Sequence, residues 1–209
     1  MIRSHVPAYT LAELDIIRRC DTPEKIQHFL DTEIRYGVDP VADYRLRCLR
    51  GVLRDRMAHC FEGALTAAAM LEFHGHPPLI LCIEARDIDH MVALFRRDQH
   101  WGAVAHSRDP LLKWRDAQYA EPRDIVMSYY PLYYNEFTKD HSDLTIRGYA
   151  VVDFSQVEGD WRTSEEDVLF VEEMLYRVPY TALFPEPGKE RFLSLLDGSI
   201  EWLPAARGA

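Results

Sequence analysis

His59-Cys60-Phe61-Glu62-Gly63-Ala64-Leu65-Thr66-Ala67-Ala68-Ala69-Met70-Leu71-Glu72-Phe73 is the stretch whose reading decides the fold. Strong helix formers fill it and little charge interrupts it. A helix apolar nearly all round is one that sits inside a core. His74-Gly75-His76-Pro77-Pro78 closes it with glycine and proline. Three short apolar runs follow, Leu79 to Glu84, His90 to Phe95 and Trp101 to Ala105, separated by polar connectors. Such spacing predicts a meander of adjacent strands. A buried helix followed by antiparallel strands is an α+β arrangement rather than an alternating α/β one.

Working outward, the first third reads as helices. Leu11, Leu14, Ile16 and Ile17 recur at helical spacing after Thr10, a suitable N-cap. Thr22-Pro23-Glu24 starts a second helix with a capping hydroxyl, a proline at the first position and an acid in the first turn. It is expected to run to about Ile34. Tyr44, Leu46, Leu49, Val52 and Leu53 predict a third helix up to Arg56, with Cys48 as a small core residue. Beyond the meander, residues 124–134 read as helix, residues 145–152 as a further strand, and Ser164-Glu165-Glu166-Asp167 as a helix start. The tyrosines at 129, 130, 133 and 134 suit the edge of a core or the wall of a cleft. One domain is expected, with a helical part at 8–56, a core at 57–155 and a mixed part at 156–209 whose last six residues fray.

Composition narrows the function. With 47% hydrophobic and 28% charged residues the chain is an ordinary globular one. A net charge of −10 argues against a nucleic-acid surface, and the arginines between 45 and 56 are interrupted by Asp55. No run approaches the ~18 apolar residues that span a bilayer, so no membrane partner is expected. The first residues lack an apolar signal region, which points to the cytoplasm. The four cysteines, at 20, 48, 60 and 82, contain no CxxC pair, and free thiols are expected in a reducing compartment.

Cys60 differs from the other three by opening the buried helix. Unsatisfied N–H groups and the positive end of the helix dipole stabilise a thiolate there and are expected to depress its pKa. The same N–H groups suit an oxyanion formed when sulfur attacks a carbonyl. Such a nucleophile needs a base, commonly histidine. Among nine histidines, His90 stands at the head of an apolar strand, after Arg86-Asp87-Ile88-Asp89, where its ring is able to reach a helix start. His74, His76, His28 and His100 sit in polar or turn stretches.

The order of Cys60 on a helix, His90 beginning one strand and Trp101 the next resembles the transglutaminase-like superfamily, which shares a papain-type core with arylamine N-acetyltransferases. Arg56-Met57-Ala58-His59-Cys60-Phe61-Glu62 is similar to the acetyltransferase pattern of arginine, small residues, an aromatic, then Cys-Phe-Glu, with Met57 where glycine is usual. Asp89 to Phe95 is similar to the superfamily's histidine strand. The resemblance covers roughly residues 50 to 110 and leans to bacterial members. It implies a Cys60–His90 pair performing acyl transfer, or hydrolysis of an amide or thioester, on a small-molecule or peptide acyl substrate, without cofactor or metal. It also implies that Glu62 pairs with Arg56 to brace the helix start, with His59 and Trp101 on the substrate side. The superfamily's third member, an aspartate about four residues past a tryptophan-like position, falls on Ala105. Asp109 then has the right chemistry, a carboxylate accepting from the imidazole N–H, and Ser107 is a weaker alternative.

Two other readings compete. A degenerate member of the same fold would be a binding or interaction module, with Ala105 marking the loss of the triad. A metal site from His59, Cys60, His90 and Asp89 is disfavoured because adjacent residues rarely converge on one ion.

Overall fold

A computed structural model describes residues 7–184. The expected fraying of residues 204–209 and the end of the mixed C-terminal part lie outside them. Six helices and eight strands are present among the described residues. The helices are α1 (Leu11–Arg19), α2 (Pro23–Glu33), α3 (Leu49–Asp55), α4 (Cys60–Phe73), α5 (Pro122–Tyr129) and α6 (Leu169–Leu175). The strands are β1 (Arg35–Tyr36), β2 (Met57–Ala58), β3 (Leu79–Ala85), β4 (His90–Arg97), β5 (His100–Val104), β6 (Arg115–Tyr119), β7 (Ile146–Asp153) and β8 (Thr181–Ala182).

The six-stranded sheet runs in the order β6-β5-β4-β3-β7-β8, antiparallel throughout. This is the expected α+β class, with the meander β3-β4-β5 extended by β6. Along β3 the side chains divide by turns, as a pleat requires. Ile80 and Cys82 join the core around α4, while Leu81 and Ile83 join a second core with Ile125, Val126 and Tyr129 of α5. The central strands are therefore covered on both faces, which is why they read as continuous apolar runs. Helix α4 is the middle of the larger core: Ala64, Leu65, Ala67, Ala68, Ala69 and Met70 are fully buried.

Several boundaries differ from the sequence reading. Helix α1 has the expected Thr10 cap, as a complete capping box with Glu13. Helix α3 begins only at Leu49, after a segment 44–48 without regular structure in which Arg47 bonds to Glu62 of α4. The helix expected at 124–134 breaks into α5 and a short 3-10 turn, Tyr130–Leu132, around Pro131. The expected helix start at 164–167 is a turn, with Ser164 Oγ accepting from Glu166 N–H, and α6 begins at Leu169. The short parallel pair β1–β2 and the edge strand β6 escaped sequence reading. Two or five residues carry too little periodicity to announce a strand.

Candidate active site

Helix α4 starts at the sheet's weak point. Strand β5 pairs with β4 only as far as Ala93↔Val104, so the flank of β4 around residues 89–91 is open. Gln27 of α2 explains where β5 ends: its Nε2 donates to the Ala105 carbonyl and its Oε1 accepts from the Ala105 N–H, both at 2.9 Å. The side-chain amide thus takes over the bonds that a strand partner would make. Immediately after it, His106 lies so close to α4 that a Cβ at Gly63 would sit 2.4 Å from the His106 Cβ. The helix start is pressed into the gap that the diverging strand leaves.

Cys60 is the first residue of α4 and is half-buried, whereas Cys20, Cys48 and Cys82 are buried. Its Sγ lies 3.9 Å from the Asp89 carbonyl oxygen, with the Met91 N–H also beside it. These two groups flank His90 in the chain, so the sulfur sits against the backbone that carries the imidazole. Cys60 and His90 line one cleft of about 530 Å³, together with Tyr36, Asp87, Asp109 and Tyr133 among others.

The His90 ring is buried, edge-on to Tyr129 at 5.6 Å and tilted against Tyr133 at 6.4 Å. Its Nε2 is 2.8 Å from the Leu112 carbonyl oxygen. A carbonyl only accepts, so the proton belongs on Nε2 and Nδ1 is left with a free lone pair. The group behind the imidazole is therefore a main-chain carbonyl, where the sequence reading looked to Asp109 or Ser107. Those two residues serve the turn that presents it. Asp109 Oδ1 accepts from Leu111 N–H at 2.8 Å and caps the 3-10 turn Pro110–Leu112. Ser107 Oγ accepts from Asp109 N–H at 3.1 Å. Tyr129 donates to the Lys113 carbonyl at 2.7 Å, and Arg115, stacked on the Tyr129 ring, donates to the Leu111 carbonyl at 3.0 Å.

The brace of the helix start also differs from expectation. Glu62 is fully buried and accepts from three donors: His59 N–H at 2.9 Å, Arg47 N–H at 2.8 Å and Arg47 Nη1 at 2.9 Å. Arg47 in turn grips Asp39 at 2.7 Å and Asp55 at 2.8 Å. Arg56 is elsewhere. It ends α3 in a left-handed conformation (φ 51°) and pairs with Glu33 at 3.1 Å.

His59 and Trp101 do not line the cleft. His59 is the N-cap of α4, its Nδ1 accepting from Phe61 N–H at 3.2 Å, and it is buried against Tyr44. Trp101 lies at the far end of the β4–β5 pair, opposite Arg96, whose guanidinium covers its ring at 4.9 Å. Among the described residues no cluster of three metal-ligating side chains occurs.

Burial dominates the electrostatics. It pushes the Cys60 thiol up to about 11, against the pull of the Met91 and Phe61 N–H groups. The depression expected from the helix dipole is thus outweighed, because enclosing the sulfur costs the anion more hydration than the Met91, Phe61 and Cys60 N–H groups return. Burial pushes His90 down to about 4, with the Leu112 carbonyl acting in the opposite sense. At neutral pH Cys60 is a thiol and His90 a neutral imidazole.

Fold and site together define an α+β chain with a cleft-exposed cysteine at a helix start and a histidine at the head of the adjoining strand. No family model matches the chain. No curated protein matches it either. Solved structures of Legionella pneumophila LapG are similar. The calcium-bound form has a TM-score of 0.42 at 16% identity, covering 78% of this chain and 87% of that one. A second LapG structure gives 0.42 at 15%, covering 79% and 83%. The EGTA-treated form gives 0.42 at 17%, covering 72% and 82%. A likeness of this degree fixes neither function nor ligand.

Proposed function

We propose that this protein is a transglutaminase-like cysteine enzyme that forms an acyl-enzyme on Cys60 and passes the acyl group to water or to an amine. The observation that carries the reading is the seating of the Cys60 sulfur against the backbone of Asp89 and Met91, in one cleft with the imidazole between them. His90 Nδ1 takes the thiol proton as sulfur attacks the carbonyl carbon. The carbonyl π pair moves onto oxygen. As the tetrahedral centre collapses, the imidazolium returns the proton to the departing amine or thiol, leaving an S-acyl cysteine. Water or an incoming amine then repeats the sequence in reverse. Leu112 holds the imidazole in the tautomer that makes Nδ1 the base, a task carboxylates perform in protease triads. A neutral carbonyl orients the ring but stabilises the imidazolium less than a carboxylate would.

Intact-mass measurement after exposure to p-nitrophenyl acetate tests this without knowledge of the natural substrate. One acetyl group is expected, on Cys60, and Cys60→Ser is expected to remove it. His90→Ala should slow acylation by roughly 10²–10⁴-fold, the usual contribution of a positioned base. Acylation that ignores His90, or that never reaches Cys60, would leave the cleft as a binding module on an inactive scaffold.

A further inference from the structure

Tyr36 is brought to Cys60 by the two-residue strand pair that the sequence conceals. Strands β1 and β2 are parallel, with Tyr36 opposite Ala58, two residues before the cysteine. Backbone bonds from Arg35 N–H to the Arg56 carbonyl at 3.0 Å and from Gly37 N–H to the Ala58 carbonyl at 3.1 Å fix the register. The Tyr36 ring is half-buried, rests on His106 at 5.5 Å and lines the same cleft as Cys60 and His90. Its hydroxyl has the Cys60 N–H and the Cys60 sulfur as neighbours.

The two tyrosines whose rings pack on His90 are committed elsewhere. Tyr129 donates its proton to the Lys113 carbonyl and Tyr133 donates to the Ile88 carbonyl. Tyr36, by contrast, has a donor, the Cys60 N–H, as its neighbour, and it lines the cleft. Burial pushes its pKa up to about 12, so the phenol is protonated throughout the neutral range.

We propose that the Tyr36 hydroxyl and the Cys60 N–H together form the oxyanion site of the acyl chemistry above, on which this inference rests. The carbonyl oxygen of the substrate enters between the two donors. As the π pair collects on that oxygen, both hydrogen bonds shorten; the phenolic proton stays on Tyr36. Donors held rigidly before the charge develops need no reorganisation when it does, which is the source of their value. Tyr36 is then a catalytic residue in the strict sense, because it touches the reacting atom.

Tyr36→Phe removes the hydroxyl and keeps the ring on His106. Two reagents separate its role. Acylation of Cys60 by p-nitrophenyl acetate passes through an oxyanion, and it should slow roughly 10²–10³-fold. Alkylation of Cys60 by iodoacetamide displaces iodide from a saturated carbon and forms no oxyanion, so its rate should stay within about 2-fold. Confinement of alkylation to Cys60, sparing the three buried cysteines, verifies that the variant is folded. Equal losses in both reactions would mean that Tyr36 acts on the thiol or on the fold, and undisturbed acylation would mean that it does not touch the oxyanion; either overturns the inference. Failure of the unsubstituted protein to be acylated on Cys60 would instead remove the enzymatic reading itself, and this proposal with it.

Discussion

Glu62 is the residue on which the start of α4 depends. Its carboxylate is wholly buried and satisfies the His59 N–H, the Arg47 N–H and the Arg47 guanidinium at once. Replacing one partner in such a set leaves donors facing nothing, whereas replacing an exposed ion pair costs little. Glu62→Gln is therefore expected to destabilise the protein by roughly 3 kcal/mol in urea denaturation. Arg56→Ala should cost under about 1 kcal/mol, because its pair with Glu33 is surface-exposed. Equal costs would mean that the bracing belongs to Arg56 after all. The resemblance favoured Arg56, the arginine four residues before the cysteine in the chain. Arg47 takes the role because the irregular segment ahead of α3 brings it to Glu62 at the helix start, and no periodicity signals that.

Between residue and sheet, the turn Pro110–Leu112 carries the second half of the site. Asp109 caps the turn that presents the Leu112 carbonyl to His90. An asparagine caps equally well, since its carbonyl oxygen accepts the same N–H. Asp109→Asn should thus keep acylation of Cys60 within about 3-fold, while Asp109→Ala, which loses the cap, should lower it further, by about 10-fold, from a loss of about 1 kcal/mol or slightly more in the turn. A steep loss in Asp109→Asn would show that the carboxylate charge itself supports the imidazole, and would restore the triad reading from sequence. The Leu112 carbonyl was not legible in the sequence for a local reason: a histidine N–H is satisfied by any acceptor, and a backbone carbonyl leaves no mark in a sequence.

At the scale of the molecule, three histidines are packed around the inner end of the site. His90 and His106 are each held near 4 by burial, and His59 is held below its ordinary value for the same cause. His59 Nε2 is buried 3.7 Å from the Glu62 carboxylate, beyond hydrogen-bond distance. The unfolded chain takes up protons near the ordinary histidine pKa of about 6.5. In the folded chain His90 and His106 take them up only near 4, and His59 below its ordinary value, so the unfolded state binds more protons between about 6.5 and 4. Their contribution to stability is then complete above about pH 6.5 and is lost as pH falls toward 4. The denaturation midpoint should drop between pH 7 and pH 5, and His106→Leu should reduce that drop, compared with its parent, whatever it does to stability at pH 7. A midpoint unchanged between those pH values would mean that the rings are hydrated and not enclosed.

The sequence by itself determined the elements with strong period and strong punctuation. The alanine-rich α4, the apolar runs β3 and β4, the capped starts of α1 and α2, and the positions of Cys60 at a helix start and His90 at a strand start all rest on residue type and local spacing. Tertiary structure alone decided what surrounds that pair. Gln27 ends β5, Arg47 braces Glu62, Leu112 fixes the imidazole tautomer, and Tyr36 reaches the helix start, each across a separation in the chain that spacing does not encode. The thiol's high pKa belongs to the same class. The helix dipole is written in the local sequence, but the loss of hydration that outweighs it arises only when the surrounding elements close over the sulfur.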